Sequence, residues 1–130
     1  MARILIIEDN EQNLYLVTFI LEKRNHVVTA ARDGRRGIQL AEEIRPELIL
    51  LDIQLPLMDG YTVAAELRRN PALERTPIVA VTSYAMAGDR ERILAAGCNG
   101  YIEKPINPDT FLAEVLAHLA PDPSAGAKEK

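Results

Sequence analysis

Apolar residues along this chain fall into short runs that alternate with longer stretches of helical spacing. "ILII" (4–7), "LILL" (48–51) and "PIVAV" (77–81) are compact apolar runs with almost no polar interruption, and "VVTA" (27–30) and "YIE" (101–103) are shorter strand-like segments. Between them, "NEQNLYLVTFILEKR" repeats apolar residues at Leu14, Val17 and Leu21, one face of a helix. "GRRGIQLAEEI" is a second helix, stopped before Pro46 because the residue preceding a proline is driven out of helical geometry. "YTVAAELRR" is a third, ending near Asn70-Pro71, and "AGDRERILAAG" a fourth with Gly97 as its C-cap. "PDTFLAEVLAHLA" is the last, with Asp109 near its start.

Five strands alternating with five helices imply βα units, a parallel sheet and right-handed crossovers. The runs at 4–7, 48–51 and 77–81 are polar-poor, as strands covered on both faces must be. The pattern predicts a doubly wound α/β fold, flavodoxin-like, with a five-stranded parallel sheet in a three-layer α/β/α sandwich. The strand order 2-1-3-4-5 belongs to that fold type and is not a consequence of the pattern.

Composition narrows the picture. At 130 residues the chain has the size of one domain, and 48% hydrophobic with 26% charged residues is ordinary for a globular protein. A formal charge of −4 leaves no footprint for nucleic-acid binding. One cysteine, Cys98, permits no internal disulfide, and no stretch approaches the length of a membrane span. The cytoplasm is the expected compartment. "APDPSAGAKEK" at the end reads as a flexible tail, so a domain over residues 1–120 and a tail over 121–130 are expected.

Ligands of open parallel sheets bind beyond the carboxyl ends of the strands. Glu8, Asp9 and Asn10 follow the first strand, Asp52 the third, Thr82 and Ser83 the fourth, and Lys104-Pro105 the fifth. Three acids, a hydroxyl and an amine are thereby directed to one edge. Three adjacent carboxylates repel, and some acquire raised pKa values unless a cation lies among them. One lysine cannot neutralise three acids. A hard divalent ion such as Mg²⁺ does better, and its retained open positions suit phosphate oxygens. Asp52 then has the chemistry of a carboxylate nucleophile forming an aspartyl phosphate. Lys104, the Thr82 hydroxyl and backbone N–H groups would stabilise the transferred group.

Each residue alone has a plainer reading. Glu8-Asp9 would cap a helix, Asp52 would be a turn or cap residue, Thr82 an ordinary strand-end residue and Lys104 a solvated lysine. Asp59-Gly60 is a turn signal. Cys98 reads as a small packed residue, His26 and His118 as surface or packing residues, and Met58 and Met86 as packing or interface residues. The arginine pairs at 35–36 and 68–69 read as solvated helix faces.

The acidic pair, "LLDIQLPLMDG", "VAVTSYA" and "YIEKP", in this order and spacing, resemble the motifs of the response-regulator receiver domain, a CheY-like superfamily, over the chain to about residue 119. The chain is most similar to stand-alone receivers of the DivK type. The resemblance implies Asp52 as phosphoacceptor, Asp9 and the Gln54 main-chain carbonyl as further Mg²⁺ ligands, and Glu8 acting through water. It implies that Lys104 pairs with the acids and the phosphoryl group, and that the Lys104–Pro105 peptide is cis. Thr82 and Tyr101 match the family's switch pair, and Tyr84 a position that tunes phosphoryl lifetime. The implied partners are a histidine kinase or histidine phosphotransfer protein as donor. A downstream protein would bind the face made by the fourth helix, last strand and last helix. Asn13, Leu14 and Val17 of the first helix are candidate partner contacts. No nucleic acid and no membrane is expected.

The expected function is therefore a single-domain response regulator that catalyses only its own phosphorylation and dephosphorylation. A receiver excised from a hybrid histidine kinase is an alternative. A different class, the aspartate-nucleophile phosphatases of haloacid dehalogenase type, places a second acid two residues after the nucleophile. Here that position is Gln54.

Overall fold

Alternate residues of the central strands face opposite sides of one sheet, and each side packs against its own set of helices. The structure, a computed structural model, describes residues 1–83 and 87–119. The expected tail, Tyr84 and Met86 lie outside the described residues. The strands are β1 (Arg3–Ile7), β2 (Val27–Ala31), β3 (Leu48–Asp52), β4 (Ile78–Thr82) and β5 (Gly100–Glu103). The helices are α1 (Glu11–Glu22), α2 (Gly34–Ile44), α3 (Gly60–Arg68), α4 (Ala87–Ala95) and α5 (Phe111–Leu116). A single 3-10 turn, Pro71–Leu73, follows α3 and has no clear signature in the pattern.

All pairings are parallel and the order is β2-β1-β3-β4-β5, as the fold type requires. Leu5 and Ile7 of β1, Ile49 and Leu51 of β3, and Ile78 and Ala80 of β4 pack with Leu40, Val63, Leu67 and Ile93 from α2, α3 and α4. Their neighbours Ile4, Ile6, Leu48, Leu50, Val79 and Val81 pack with Val17 and Leu21 of α1 and Phe111 and Val115 of α5. The period-2 alternation of a strand thus supplies both cores.

Three helix starts are closed by side chains that accept the orphan N–H groups of a first turn. Asn10 accepts from the Asn13 N–H, Asp33 from that of Arg36 and Asp59 from that of Thr62. Asp59, read as a turn signal, is an N-cap, and Asn10 takes the capping role that Glu8-Asp9 would have had. α5 is shorter than its apolar spacing predicts. Asn107 Oδ1 accepts from the Asp109 N–H at 2.9 Å, and the Asn107 carbonyl from Thr110 and Phe111, so residues 108–110 form a turn. β3 and β4 run one residue further than predicted. Asp52 and Thr82 are therefore strand residues, both buried.

Gly60 begins α3 hard against the end of β3. A Cβ there would stand 2.5 Å from Ile53 Cα and 2.7 Å from the Asp52 carbonyl oxygen. Backbone cannot yield as a flexible side chain does, so Gly60→Ala is expected to lower stability by about 1–3 kcal/mol. Gly88 of α4 has nothing within 4 Å of the same position. Gly88→Ala should be neutral or stabilising by up to about 1 kcal/mol. Urea unfolding of both variants checks the pair, and equal midpoints would refute the packing argument.

Candidate functional site

The register of the sheet sets the site. Ile7 pairs with Leu51, and Asp52 with Val81, so the residue following β1 comes level with the last residue of β3. Glu8, Asp9 and Asp52 each place a carboxylate oxygen within 4.8 Å of the others. Glu8 and Asp52 are buried, 4% and 3% exposed, whereas Asp9 is exposed. Lys104 follows β5, and its N–H donates to the Thr82 carbonyl at 2.8 Å. Its ammonium reaches past β4 to Glu8 Oε1 at 3.2 Å and Asp52 Oδ1 at 3.3 Å. The Lys104–Pro105 peptide is cis.

One ammonium faces two buried acids and a third at the rim, and the imbalance shows in Glu8. Burial pushes its carboxyl up to about 7, reinforced by the hydrogen bond and the charge of Asp52. The Asn10 N–H, 3.2 Å from Glu8 Oε2, and Lys104 pull it back down. Asp52 Oδ1 also accepts from the Gln54 N–H at 3.0 Å. A cluster of hard oxygen donors with surplus negative charge fits a divalent cation, the chemistry the sequence pattern called for.

Thr82 lies one step beyond Val81, the partner of Asp52, and is 1% exposed. Ala80 pairs with Tyr101 and Thr82 with Glu103, so Thr82 and Tyr101 are diagonal neighbours on the same face of adjacent strands. The Tyr101 ring is half-buried against the α2–α3–α4 core. Gln54, exposed at the mouth, donates its side-chain amide to Thr82 Oγ1 at 3.0 Å. It offers no second acid to Asp52.

Several contacts escape sequence reading. The exit of β2 contributes Arg32, whose guanidinium donates to the Asp9 carbonyl at 3.1 Å and pairs with Glu11 at 3.1 Å. An inspection of all five strand exits would have found it. Arg68, read as solvated, is half-buried. Its guanidinium donates to the carbonyls of Gly97 at 2.9 Å and Leu73 at 2.7 Å and to Asn99 Oδ1 at 2.7 Å, tying α3 to the α4–β5 turn. Val17, a candidate partner contact, faces the core and is 4% exposed, so it is withdrawn. The apolar residues that α1 presents outward are Tyr15 and Phe19, stacked with ring centroids 6.4 Å apart. Asn13 and Leu14 are half-buried beside them. His26 Nδ1 accepts from the Ala2 N–H at 3.0 Å, a packing role as expected. Cys98 is buried, and burial pushes its thiol up to about 11. Among the described residues no helix is long and apolar enough to cross a membrane.

Comparison with known proteins agrees with this geometry. A family model described as response regulator receiver domain matches residues 4–116. The polar-differentiation response regulator DivK of Brucella anthropi is 40% identical over 116 residues, spanning 89% of this chain and 94% of that protein. The chemotaxis protein CheY4 of Vibrio cholerae has a similar structure, with a TM-score of 0.88 at 28% identity over 92% of this chain and 99% of that one. The receiver domain of a Pseudomonas aeruginosa sensor histidine kinase, solved with a magnesium ion coordinated in its active-site cleft, gives 0.83 at 35% identity over 90% and 96%.

The raised Glu8 carboxyl makes metal-free stability depend on pH. Between 4.5 and about 7 the folded protein keeps a proton that the unfolded chain releases. This contribution is present at low pH and lost as pH rises through about 7. In chelator-treated buffer at pH 8, Glu8→Gln should melt several degrees above the unsubstituted protein, with a smaller gap near pH 5. Calorimetry at the two pH values checks this, and equal melting temperatures at pH 8 would contradict it.

Proposed function

The chain belongs to the response regulator receiver domain family, and from that premise we propose that it is a phosphorylation-dependent signalling switch with Asp52 as phosphoacceptor. The observation that carries this reading is the Lys104 ammonium held between Glu8 and Asp52, beside Asp9, at the open ends of the strands. The donor is a phosphohistidine of a histidine kinase or histidine phosphotransfer protein. Exposed Tyr15 and Phe19 make the outer face of α1 the place for it to dock.

In the transfer, an Asp52 carboxylate oxygen attacks phosphorus, the P–N bond to the donor imidazole breaks, and the released imidazole takes up a proton. The Lys104 ammonium, 3.3 Å from Asp52 Oδ1, would meet the charge on the phosphoryl oxygens. The Gln54 N–H holds Oδ1 of Asp52 in place. A divalent cation, Mg²⁺ in this reading, would be held by Asp9, Asp52 and the Gln54 carbonyl with Glu8 through water, and would neutralise the acids and polarise the phosphoryl group.

The product adds charge and acceptor oxygens at Asp52. The Thr82 hydroxyl turns to donate to them, and the Tyr101 ring, its diagonal neighbour, moves into the volume vacated. That alters the surface of α4, β5 and α5, where the downstream protein binds. Residues 1–120 form the switch, working in the cytoplasm. The chain's only chemistry is its own phosphorylation and hydrolysis.

With Mg²⁺ and acetyl phosphate, intact-mass analysis should show one acid-stable, base-labile phosphoryl adduct. Asp52→Asn should remove it, and equal yield in that variant would reject the assignment. Lys104→Ala should keep the fold yet uncouple the adduct from partner binding. Normal phosphorylation-dependent binding by that variant would show that Lys104 has another role.

A further inference from the structure

α4 is thinly attached to the rest of the molecule. Among its described side chains Ile93 alone is buried, and Leu94 is more than half exposed. Two of its arginines also lie against tyrosine rings of neighbouring elements. The Arg92 guanidinium lies 4.0 Å from the ring centroid of Tyr61 on α3. The Arg90 guanidinium lies 5.4 Å from that of Tyr101 on β5. Residues two apart on a helix point about 200° from one another, so the two stacks hold α4 from opposite sides. A cation within about 6 Å of a ring face is attracted by the ring's quadrupole, and the attraction needs the face to stay where it is.

We propose that Arg90 is a positioning residue that holds the Tyr101 ring in its resting place and makes α4 the element that responds when the ring moves. This inference rests on the reading of Thr82 and Tyr101 as a switch pair and adds the link from that pair to α4. If the Tyr101 ring moves toward Thr82, it leaves the guanidinium, and α4 loses one of the two stacks while keeping Ile93 and the Arg92–Tyr61 contact. The helix then pivots on the side of Tyr61 instead of detaching. In the resting protein the same stack favours the ring in its place beside α4, so it opposes activation by its own strength.

The inference makes a quantitative demand. A contact between partly exposed groups of this kind biases a two-state equilibrium by about two- to fivefold. Where the active state is the minor one, removing the bias raises the apparent affinity of any ligand selective for that state by the same factor. The probe is beryllofluoride with Mg²⁺, a phosphoryl mimic, titrated into protein labelled with 3-fluorotyrosine. The chain has four tyrosines, and Tyr101→Phe identifies the Tyr101 resonance in the fluorine spectrum.

Arg90→Gln should shift the unliganded Tyr101 resonance toward its beryllofluoride-bound position and tighten apparent binding about two- to fivefold, with Arg90→Lys between the two. Arg92→Gln, which loosens α4 at Tyr61, should leave both the Tyr101 resonance and the affinity near those of the unsubstituted protein. Unchanged resonance and affinity in Arg90→Gln would overturn the inference, as would equal effects from Arg92→Gln. If beryllofluoride binds the unsubstituted protein without moving the Tyr101 resonance, the switch-pair reading itself fails, and the inference with it.

Discussion

Two buried carboxylates, a third at the rim and one ammonium cannot balance, and that imbalance organises the open end of this sheet. Lys104 leaves β5 and crosses β4 to reach Asp52 on β3 and Glu8 after β1, so a single side chain spans most of the sheet. A buried charge is tolerated only when paired and hydrogen-bonded. Here the pairing is incomplete, and burial, reinforced by the neighbouring Asp52, raises the Glu8 carboxyl to about 7. A site left short of positive charge in this way suits a divalent cation and the phosphoryl chemistry that accompanies it. A fully compensated ion-pair network would not.

The rest of the molecule makes this arrangement rigid where it must be. β1, β3 and β4 are covered on both faces, and their register brings Glu8 and Asp52 level while placing Thr82 one step beyond. Side chains anchored so firmly do not drift apart to relieve repulsion. Stability is spent at the site and recovered in the two cores. The same register puts Tyr101 diagonal to Thr82, on the face that carries α4. Firm strands and a lightly held helix thus meet at one tyrosine.

The layered fold was legible because its signal is local. Apolar runs and helical spacing are properties of ten or so neighbouring residues, and among the described residues they located the five strands and five α-helices, though not the 3-10 turn. Their ends were less legible. The 108–110 segment shares the spacing of α5 yet turns on the Asn107 side chain instead. Among site residues, Glu8, Asp9, Asp52, Thr82 and Lys104 could be named because the strand ends deliver them, and the structure brings the acids and the amine together. Arg32, at the exit of the edge strand β2, escapes a reading confined to the exits of the other four strands.

The sequence by itself determined the element order, the acids, hydroxyl and amine at the strand exits, and the apolar faces that cover the sheet. Only the tertiary structure decided that Val17 points inward, that Arg68 is enclosed by carbonyls, that Glu8 rather than Asp9 takes the buried place, and that Arg90 and Arg92 stack on two different tyrosines. The physical reason is the range of the forces involved. Backbone periodicity is written within a single segment, whereas burial, charge imbalance and ring contacts arise only where segments distant in the chain are brought together.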